Sequence, residues 1–158
     1  MTNVTIEAVI LTPLLVVQIL LFPMAASAMT SYWENASRQV ALQEAASQMG
    51  STIQQLYLSL NRIEVSAGNI TQASTFPTEV ASHPYTATGT LRTSLEPSSC
   101  KILLLNLTLQ KVGNSVTVQV SLGPNVSWNE GSTFYSLSPN ASINVEKKTD
   151  GTLLFSFG

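Results

Sequence analysis

Residues 8–29 read AVILTPLLVVQILLFPMAASAM, a run that contains no charged side chain. A helix needs about 20 predominantly apolar residues to cross a bilayer, so this run is long enough to span one. Pro13 and Pro23 interrupt the run, but membrane helices tolerate proline where neighbouring groups satisfy the freed backbone carbonyls. The sequence therefore predicts a helix of membrane character near the start of the chain.

This apolar run has three possible interpretations. It can be a secretory signal peptide, because Ala26-Ser27-Ala28 resembles a small-residue cleavage site, although the preceding residues 1–7 carry Glu7 and no lysine or arginine. It can be a simple membrane anchor. It can also be a helix that begins in the membrane and is later packed inside a polymer. Tyr32 and Trp33, just beyond the run, are typical of a membrane-interface belt or of packing in an assembly.

The apolar pattern continues beyond Met29 as a stripe with steps of four and three residues, which is a heptad-like pattern on one helical face. The stripe consists of Leu42, Ala46, Met49, Ile53, Leu56, Leu60 and Ile63. No proline lies between Pro23 and Pro77, so we expect one helix to residue 63, apolar over 8–29 and amphipathic over 30–63. At 1.5 Å per residue such a helix is about 90 Å long, and its apolar half needs lipid or other copies of itself.

The remainder of the chain, residues 64–158, has the pattern of a β-domain. A linker with turns is expected over residues 67–99, with a short strand at Thr86–Leu95. Further strands are predicted at Lys101–Gln110, Ser115–Leu122 and Ser132–Leu137, where apolar and polar residues alternate. The predicted fold class is α+β: a long N-terminal α-helix (residues 1–63) followed by a C-terminal antiparallel β-sandwich of immunoglobulin-like architecture (residues 64–158).

The last predicted element is a hairpin over Ala141–Phe157. A two-residue loop would place Val145 opposite Ser156, whereas the three-residue loop Thr149-Asp150-Gly151 pairs Val145 with Phe155. Because a slip of one residue exchanges the faces of a strand, the apolar pattern selects the three-residue loop. Gly151 would supply its left-handed position.

The composition excludes several classes of function. Charged residues make up 10% of the chain and the net charge is −2, so no nucleic-acid partner is expected. Cys100 is the only cysteine and His83 the only histidine, so an intrachain disulfide and a Ser-His-Asp set are not expected. We find no catalytic, metal-binding or cofactor-binding pattern, and we predict that the chain is not an enzyme.

Asn-x-Ser/Thr sequons are unusually frequent. Six occur, against about two or three expected by chance for this composition. They begin at Asn3, Asn35, Asn69, Asn106, Asn125 and Asn140. Asn3 lies beside the apolar helix and is the weakest candidate, whereas Asn69, Asn125 and Asn140 are expected in loops. We predict N-linked sugar on at least two of the sites 69, 106, 125 and 140; the alternative is that a Ser/Thr-rich β surface produces sequons by accident.

The layout of the chain resembles the type IV pilin superfamily. The resemblance rests on Thr5-Ile6-Glu7-Ala8-Val9-Ile10-Leu11, on a proline within the apolar helix, and on a β-domain after an amphipathic extension. Bacterial members place a proline about seventeen positions after a glutamate, and here Pro23 follows Glu7 by sixteen. An all-β, sequon-rich head without a disulfide is similar to the archaeal branch, the archaeal adhesive pilins and archaellins. The short charged leader that a prepilin peptidase removes is absent, as expected for a mature chain.

The resemblance implies a subunit of an extracellular helical filament for adhesion or motility, inserted in the membrane before assembly. Its partners would be other copies of itself, the membrane and N-linked glycans. The expected filament core is Ile10, Leu14, Leu15, Val17, Leu20, Leu21 and Phe22. Glu7 would pair with the N-terminal amine of a neighbouring subunit, or would remain in the interfacial water. The alternatives are a membrane-anchored envelope protein that binds the surface layer and a secreted β-sandwich.

Overall fold

The computed structural model describes residues 3–93 and 100–158, with side chains in the helix from Leu11 onward. Helix α1 spans Asn3–Leu60 and is followed by eight strands. The strands are β1 Gly68–Ala73, β2 Tyr85–Thr93, β3 Lys101–Leu109, β4 Ser115–Leu122, β5 Val126–Trp128, β6 Thr133–Tyr135, β7 Ser142–Lys147 and β8 Leu153–Phe157. This arrangement confirms the predicted α+β class.

The chain forms two compact units, Met1–Ser37 and Arg38–Gly158. The division predicted from sequence, after residue 63, marks the change from helix to strands. The packed second unit begins earlier, within the helix. We call Arg38–Gly158 the head, and it therefore contains the last part of α1 together with all eight strands.

The predicted amphipathic stripe packs into the core of the head. Leu42, Ala46, Met49 and Ile53 are completely buried, and Leu60 is nearly so. Removing each large apolar side chain from water stabilises the fold by roughly 1.5–3 kcal/mol. The stripe is thus confirmed up to Leu60, and its partners belong to the same chain.

Ile63, predicted as the end of the stripe, is fully exposed because the helix ends at Leu60. The side chain of Lys147 stabilises this end, since its Nζ donates hydrogen bonds to the carbonyls of Leu60 (2.8 Å) and Arg62 (2.7 Å). A cation at a helix C-terminus also interacts favourably with the helix dipole. The prediction for Ile63 was wrong because the helix ends before this residue, at an end that is stabilised from a strand 87 residues away along the chain.

The strands form two four-stranded sheets that enclose the core with the helix. One sheet has the order β1-β7-β8-β5 and the other the order β4-β3-β2-β6. All neighbouring strands are antiparallel except β5 and β8, which are parallel. The two-sheet architecture is that of a sandwich, while this strand order differs from the ABED and CFG sheets of immunoglobulin domains.

Strands in which apolar and polar residues alternate were predicted most accurately. β4 has the predicted bounds and β3 ends one residue early, while β6 lies inside the predicted Ser132–Leu137. The predicted end of the Thr86–Leu95 strand falls outside the described residues. β1 was predicted as linker and β5 was not predicted, because GNITQA lacks apolar alternation and VSW is too short to reveal one.

The C-terminal hairpin has the predicted register. Val145 lies opposite Phe155 and Ile143 opposite Phe157, so all four side chains enter the core. The N–H of Lys148 donates to the carbonyl of Thr152 (2.9 Å), which closes a three-residue loop. Gly151 has a φ of 83°, the left-handed conformation that the loop requires.

Two buried polar atoms have no hydrogen-bond partner among the described residues, Oη of Tyr85 and Nε1 of Trp128. Tyr85 is completely buried, and this burial raises the pKa of its phenol to about 12. Leaving a buried hydroxyl unpaired costs roughly 1–3 kcal/mol. The tyrosine ring packs against Phe134, with ring centroids 6.1 Å apart, so its contribution is apolar.

We expect Tyr85→Phe to raise the free energy of unfolding by about 1 kcal/mol, since it removes an unpaired hydroxyl and keeps the ring. The unfolded tyrosine ionises near pH 10 and the folded one near 12, so the wild type also loses stability as pH rises through this interval. Tyr85→Phe should lose less stability than the wild type between pH 7 and pH 11. Chemical unfolding of the full chain in detergent at pH 7 and pH 11 measures both effects. Tyr135→Phe, at an exposed tyrosine, is the matched control, and lower stability of Tyr85→Phe than of this control would contradict the assignment.

Candidate functional site

Within residues 11–29, large apolar side chains are exposed around the helix. The predicted core residues whose side chains are described are between 51% and 77% exposed: Leu14, Leu15, Val17, Leu20, Leu21 and Phe22. The side chains of Ile10 and Glu7, also predicted to act in assembly, lie outside the described residues. We call residues 11–29 the apolar segment, because its large apolar side chains are exposed.

A groove of about 610 Å³ lies on the apolar segment at Pro23. It is lined by Leu15, Gln18, Ile19, Leu21, Phe22, Pro23 and Ala25. Because the lining is almost entirely aliphatic or aromatic, the groove suits an apolar side chain or a lipid tail and offers no catalytic group. Helix α1 continues through Pro13 and Pro23, as expected for a helix in an apolar surrounding.

By length and composition, one helix in the described part of the chain is able to cross a membrane. Its apolar window is unburied within the chain. Tyr32 and Trp33 follow the window and are exposed, as side chains of an interface belt or of an inter-subunit contact would be. The apolar segment is therefore a candidate for both lipid contact and contact between copies.

At the other end of α1, four side chains join the helix to the β-strands. Lys147 caps the helix, as described above. The Nδ2 of Asn125 donates hydrogen bonds to Oδ1 of Asn61 (2.7 Å) and to the carbonyl of Gly151 (3.0 Å). Tyr57 Oη accepts a hydrogen bond from Nδ2 of Asn61 (3.0 Å). We call Tyr57, Asn61, Asn125 and Lys147 the junction; its members are far apart in sequence, and no local pattern indicated it.

The junction affects one predicted glycosylation site. N-linked sugar is attached to the side-chain nitrogen of asparagine, which otherwise has two N–H donors. Both N–H donors of the Asn125 amide make hydrogen bonds, and Asn125 is only half-exposed. Attachment would remove one of these hydrogen bonds, so the folded structure makes Asn125 the least favourable of the sites 69, 106, 125 and 140.

The other predicted sites are accessible. Asn140 is exposed in a turn, as expected, and Asn35 is exposed on the helix. Asn69, expected in a loop, instead lies on β1, where pairing with β7 orders the segment. Asn106 is exposed on the outer face of β3, between Thr88 of β2 and Thr117 of β4. The side chain of Asn3 lies outside the described residues.

No group of three or more His, Cys, Asp or Glu side chains within residues 3–93 and 100–158 is arranged to hold a metal ion. His83 lies in a tight turn, where its Nδ1 is 2.7 Å from the carbonyl of Ala81. Asp150 has a lowered pKa, chiefly because the backbone N–H of Thr152 donates to its carboxylate (2.9 Å). This fully exposed aspartate orders the hairpin loop, and it lines an open groove of about 420 Å³ together with Arg62, Lys147 and Lys148. The ammonium group of Lys147 is hydrogen-bonded to the carbonyls at the helix end.

Comparison of this chain with protein-family models, with curated proteins and with solved structures finds no match.

Proposed function

We propose that this chain is the structural subunit of an extracellular helical filament of the archaeal type IV pilus kind. The apolar segments of many copies bundle into the filament core, and the heads form its outer surface. Before assembly the same segment lies in the membrane. The filament serves adhesion or motility, and the chain has no enzymatic role.

One observation carries this proposal: a large apolar surface at 11–29 is joined to a folded head by uninterrupted helix. Because the segment lies in lipid before assembly, close packing of the helices and not transfer from water favours its association. Outside the membrane, the bundle keeps each large apolar side chain out of water, which stabilises the filament by roughly 1.5–3 kcal/mol per side chain. The helix has no Gly- or Pro-rich break between the apolar segment and the head. A continuous helix of this kind ties core and head together, as a polymer with ordered heads requires.

The stripe from Leu42 to Leu60 does not distinguish a filament from an anchor, because the head of the same chain buries it. The main alternative is a membrane-anchored envelope protein whose head binds the surface layer. That protein would need the same span but no contact between copies. The resemblance of residues 5–11 to the start of mature pilins favours the filament.

Cell fractionation distinguishes a filament subunit from an anchored envelope protein. Filaments are sheared from cells that produce this chain, examined by electron microscopy and analysed by mass spectrometry. We expect the chain to be a major component of the sheared filaments. Its presence in the membrane fraction only, with filaments made of other proteins, would favour the anchored envelope protein.

We further expect the native chain to carry N-linked sugar on at least two sequons, at Asn69, Asn106 or Asn140, with Asn125 bare. The intact mass of the native protein should exceed that of the bare chain, and peptide mapping should leave the Asn125 peptide unmodified. If peptide mapping finds sugar on Asn106, Thr108→Ala should lower the mass by one glycan, because it removes this sequon without changing the asparagine. A native mass equal to that of the bare chain would contradict this prediction.

A further inference from the structure

Each four-stranded sheet of the head has two edge strands in the described part of the chain, and β1 and β4 are the longer edge strands of their sheets. In the described part of the chain β4 pairs only with β3, and β1 pairs only with β7. The eight residues of β4 and the six of β1 are long enough to pair with a further strand. An edge strand presents a row of unpaired N–H and C=O groups that can extend the sheet into another chain.

The hydrogen-bond pattern of β4 identifies the groups at its free edge. The N–H of Leu109 donates to the carbonyl of Asn114 (2.8 Å), so residues 109 and 114 are a hydrogen-bonded pair. In an antiparallel ladder such pairs alternate with pairs whose backbone groups point away. Val116 and Val118 therefore bond to β3, while the N–H and C=O groups of Thr117 and Gln119 point to the free edge.

The same reasoning applies to β1. The N–H of Ser74 donates to the carbonyl of Ala141 (3.0 Å), and the register then directs the backbone groups of Ile70 and Gln72 toward β7. The backbone groups of Asn69, Thr71 and Ala73 point to the free edge. A sugar on Asn69 would leave this edge open, because its side chain projects from the sheet face, perpendicular to the direction of pairing.

Neither edge has the features that normally prevent association. Natural edge strands are protected by charged residues, proline, bulges or shortness. The sequences GNITQA and SVTVQVSL contain no charged residue and no proline, and both registers run without a bulge. Edges of this kind on an isolated head would favour aggregation, which indicates that a partner covers them in the assembled protein.

The strand directions fit a second copy as that partner. β1 runs in the same direction as β8 and β5, since it is separated from β8 by one antiparallel neighbour and β5 is parallel to β8. Contacts between the sheets give the direction of β5 relative to β3. At the start of both strands, Lys101 Nζ donates a hydrogen bond to the Val126 carbonyl (2.6 Å). Further along both strands, Trp128 covers Gly89, which is paired with Leu105 of β3. β3 therefore runs with β5 and β1, and β4 runs against them.

We propose that β4 of one copy pairs antiparallel with β1 of the next copy, which joins the sheets of neighbouring heads. This inference rests on the proposed filament, in which all copies have the same polarity. Antiparallel pairing of β4 with β4 would need a two-fold axis perpendicular to β4. In the head the helix runs in the same direction as β4, since Gly50 approaches Val120 and Tyr57 approaches Gly123. Such an axis would reverse this part of the helix in alternate copies, which is incompatible with copies of one polarity. A contact between two different edges is heterologous and repeats without closing, as a filament requires.

Hydrogen exchange of the full chain tests this pairing without a mutation. In detergent-solubilised monomers the amides of Thr117, Gln119 and Thr71 should exchange rapidly. In filaments they should exchange at least roughly a hundredfold more slowly, because a ladder partner protects them. The amides of Val116 and Val118 are the internal control and should be protected in both states. Equally fast exchange of the edge amides in filaments and monomers would overturn the pairing.

A proline at the free edge provides a second test. Thr117→Pro removes an N–H that points away from β3, and edge strands tolerate such a proline. Thr117→Val is the matched control, since it keeps the N–H. Filaments of Thr117→Pro should release subunits at a roughly tenfold higher rate than those of Thr117→Val. Equal release rates with a folded head would refute the pairing and leave the filament proposal standing, whereas failure of the wild type to form filaments would refute the filament proposal itself.

Discussion

Replacement of Leu20 by aspartate is expected to abolish filament assembly while the head remains folded. Leu20 is 63% exposed in the middle of the apolar segment, where the proposed bundle would bury it. A carboxylate in such a surrounding must be desolvated without a partner; even at the centre of a membrane helix an aspartate costs roughly 3 kcal/mol. In a polymer this cost recurs in every subunit.

The head should be unaffected because Leu20 belongs to the first compact unit, Met1–Ser37. Circular dichroism and thermal unfolding in detergent report on the head, and electron microscopy reports on assembly. Leu20→Met changes volume little and keeps the surface apolar, so it is the matched control and should assemble. Normal filaments from Leu20→Asp would show that the apolar segment is not the core.

Replacement of Gly50 by leucine is expected to destabilise the head. A Cβ at Gly50 would lie 2.8 Å from Cγ2 of Val120 and 3.7 Å from atoms of Leu105 and Val118. Helix and sheet therefore approach each other closely at this point, and a leucine has no space. Overpacking of this kind costs about 1–3 kcal/mol, against a gain of about 1 kcal/mol in helix propensity.

We expect Gly50→Leu to lower the midpoint of thermal unfolding of the head by several degrees, since about 1 kcal/mol corresponds to roughly 2–8 °C for domains of this size. Ser51→Leu places the same side chain on the exposed face of the helix and is the control. The unfolding midpoint of Gly50→Ala should lie between those of Gly50→Leu and Ser51→Leu, because the alanine methyl group requires only a small shift of Val120. Equal unfolding midpoints for Gly50→Leu and Ser51→Leu would contradict the close approach of helix and sheet.

The role of Gly50 could not be predicted from the sequence, although the helix face on which it lies could be. A period of 3.5 residues identified the buried face of the helix, and a period of two with a glycine in the turn identified the register of the last hairpin. These patterns succeed because burial on one face determines which residues must be apolar. From sequence alone Gly50 is only a residue that weakens a helix, whereas in the fold it permits contact with β3 and β4.

Features that depend on distant partners could not be predicted. β1 is a strand because β7 provides its hydrogen bonds, and its side chains remain exposed. The helix end at Leu60 is stabilised by Lys147, which lies on β7. Asn125 has the sequon of a glycosylation site, yet its amide holds the helix end to the hairpin. The sequence did locate the apolar segment, since the composition of 8–29 suffices for that.

The most direct measurement is a reconstruction by electron cryo-microscopy of filaments sheared from cells that produce this chain. The account predicts that the density traces this sequence, with the side chains of residues 11–29 buried among parallel helices at the filament axis and the heads outside. Filaments whose density fits another sequence, with this chain left in the membrane, would contradict the account.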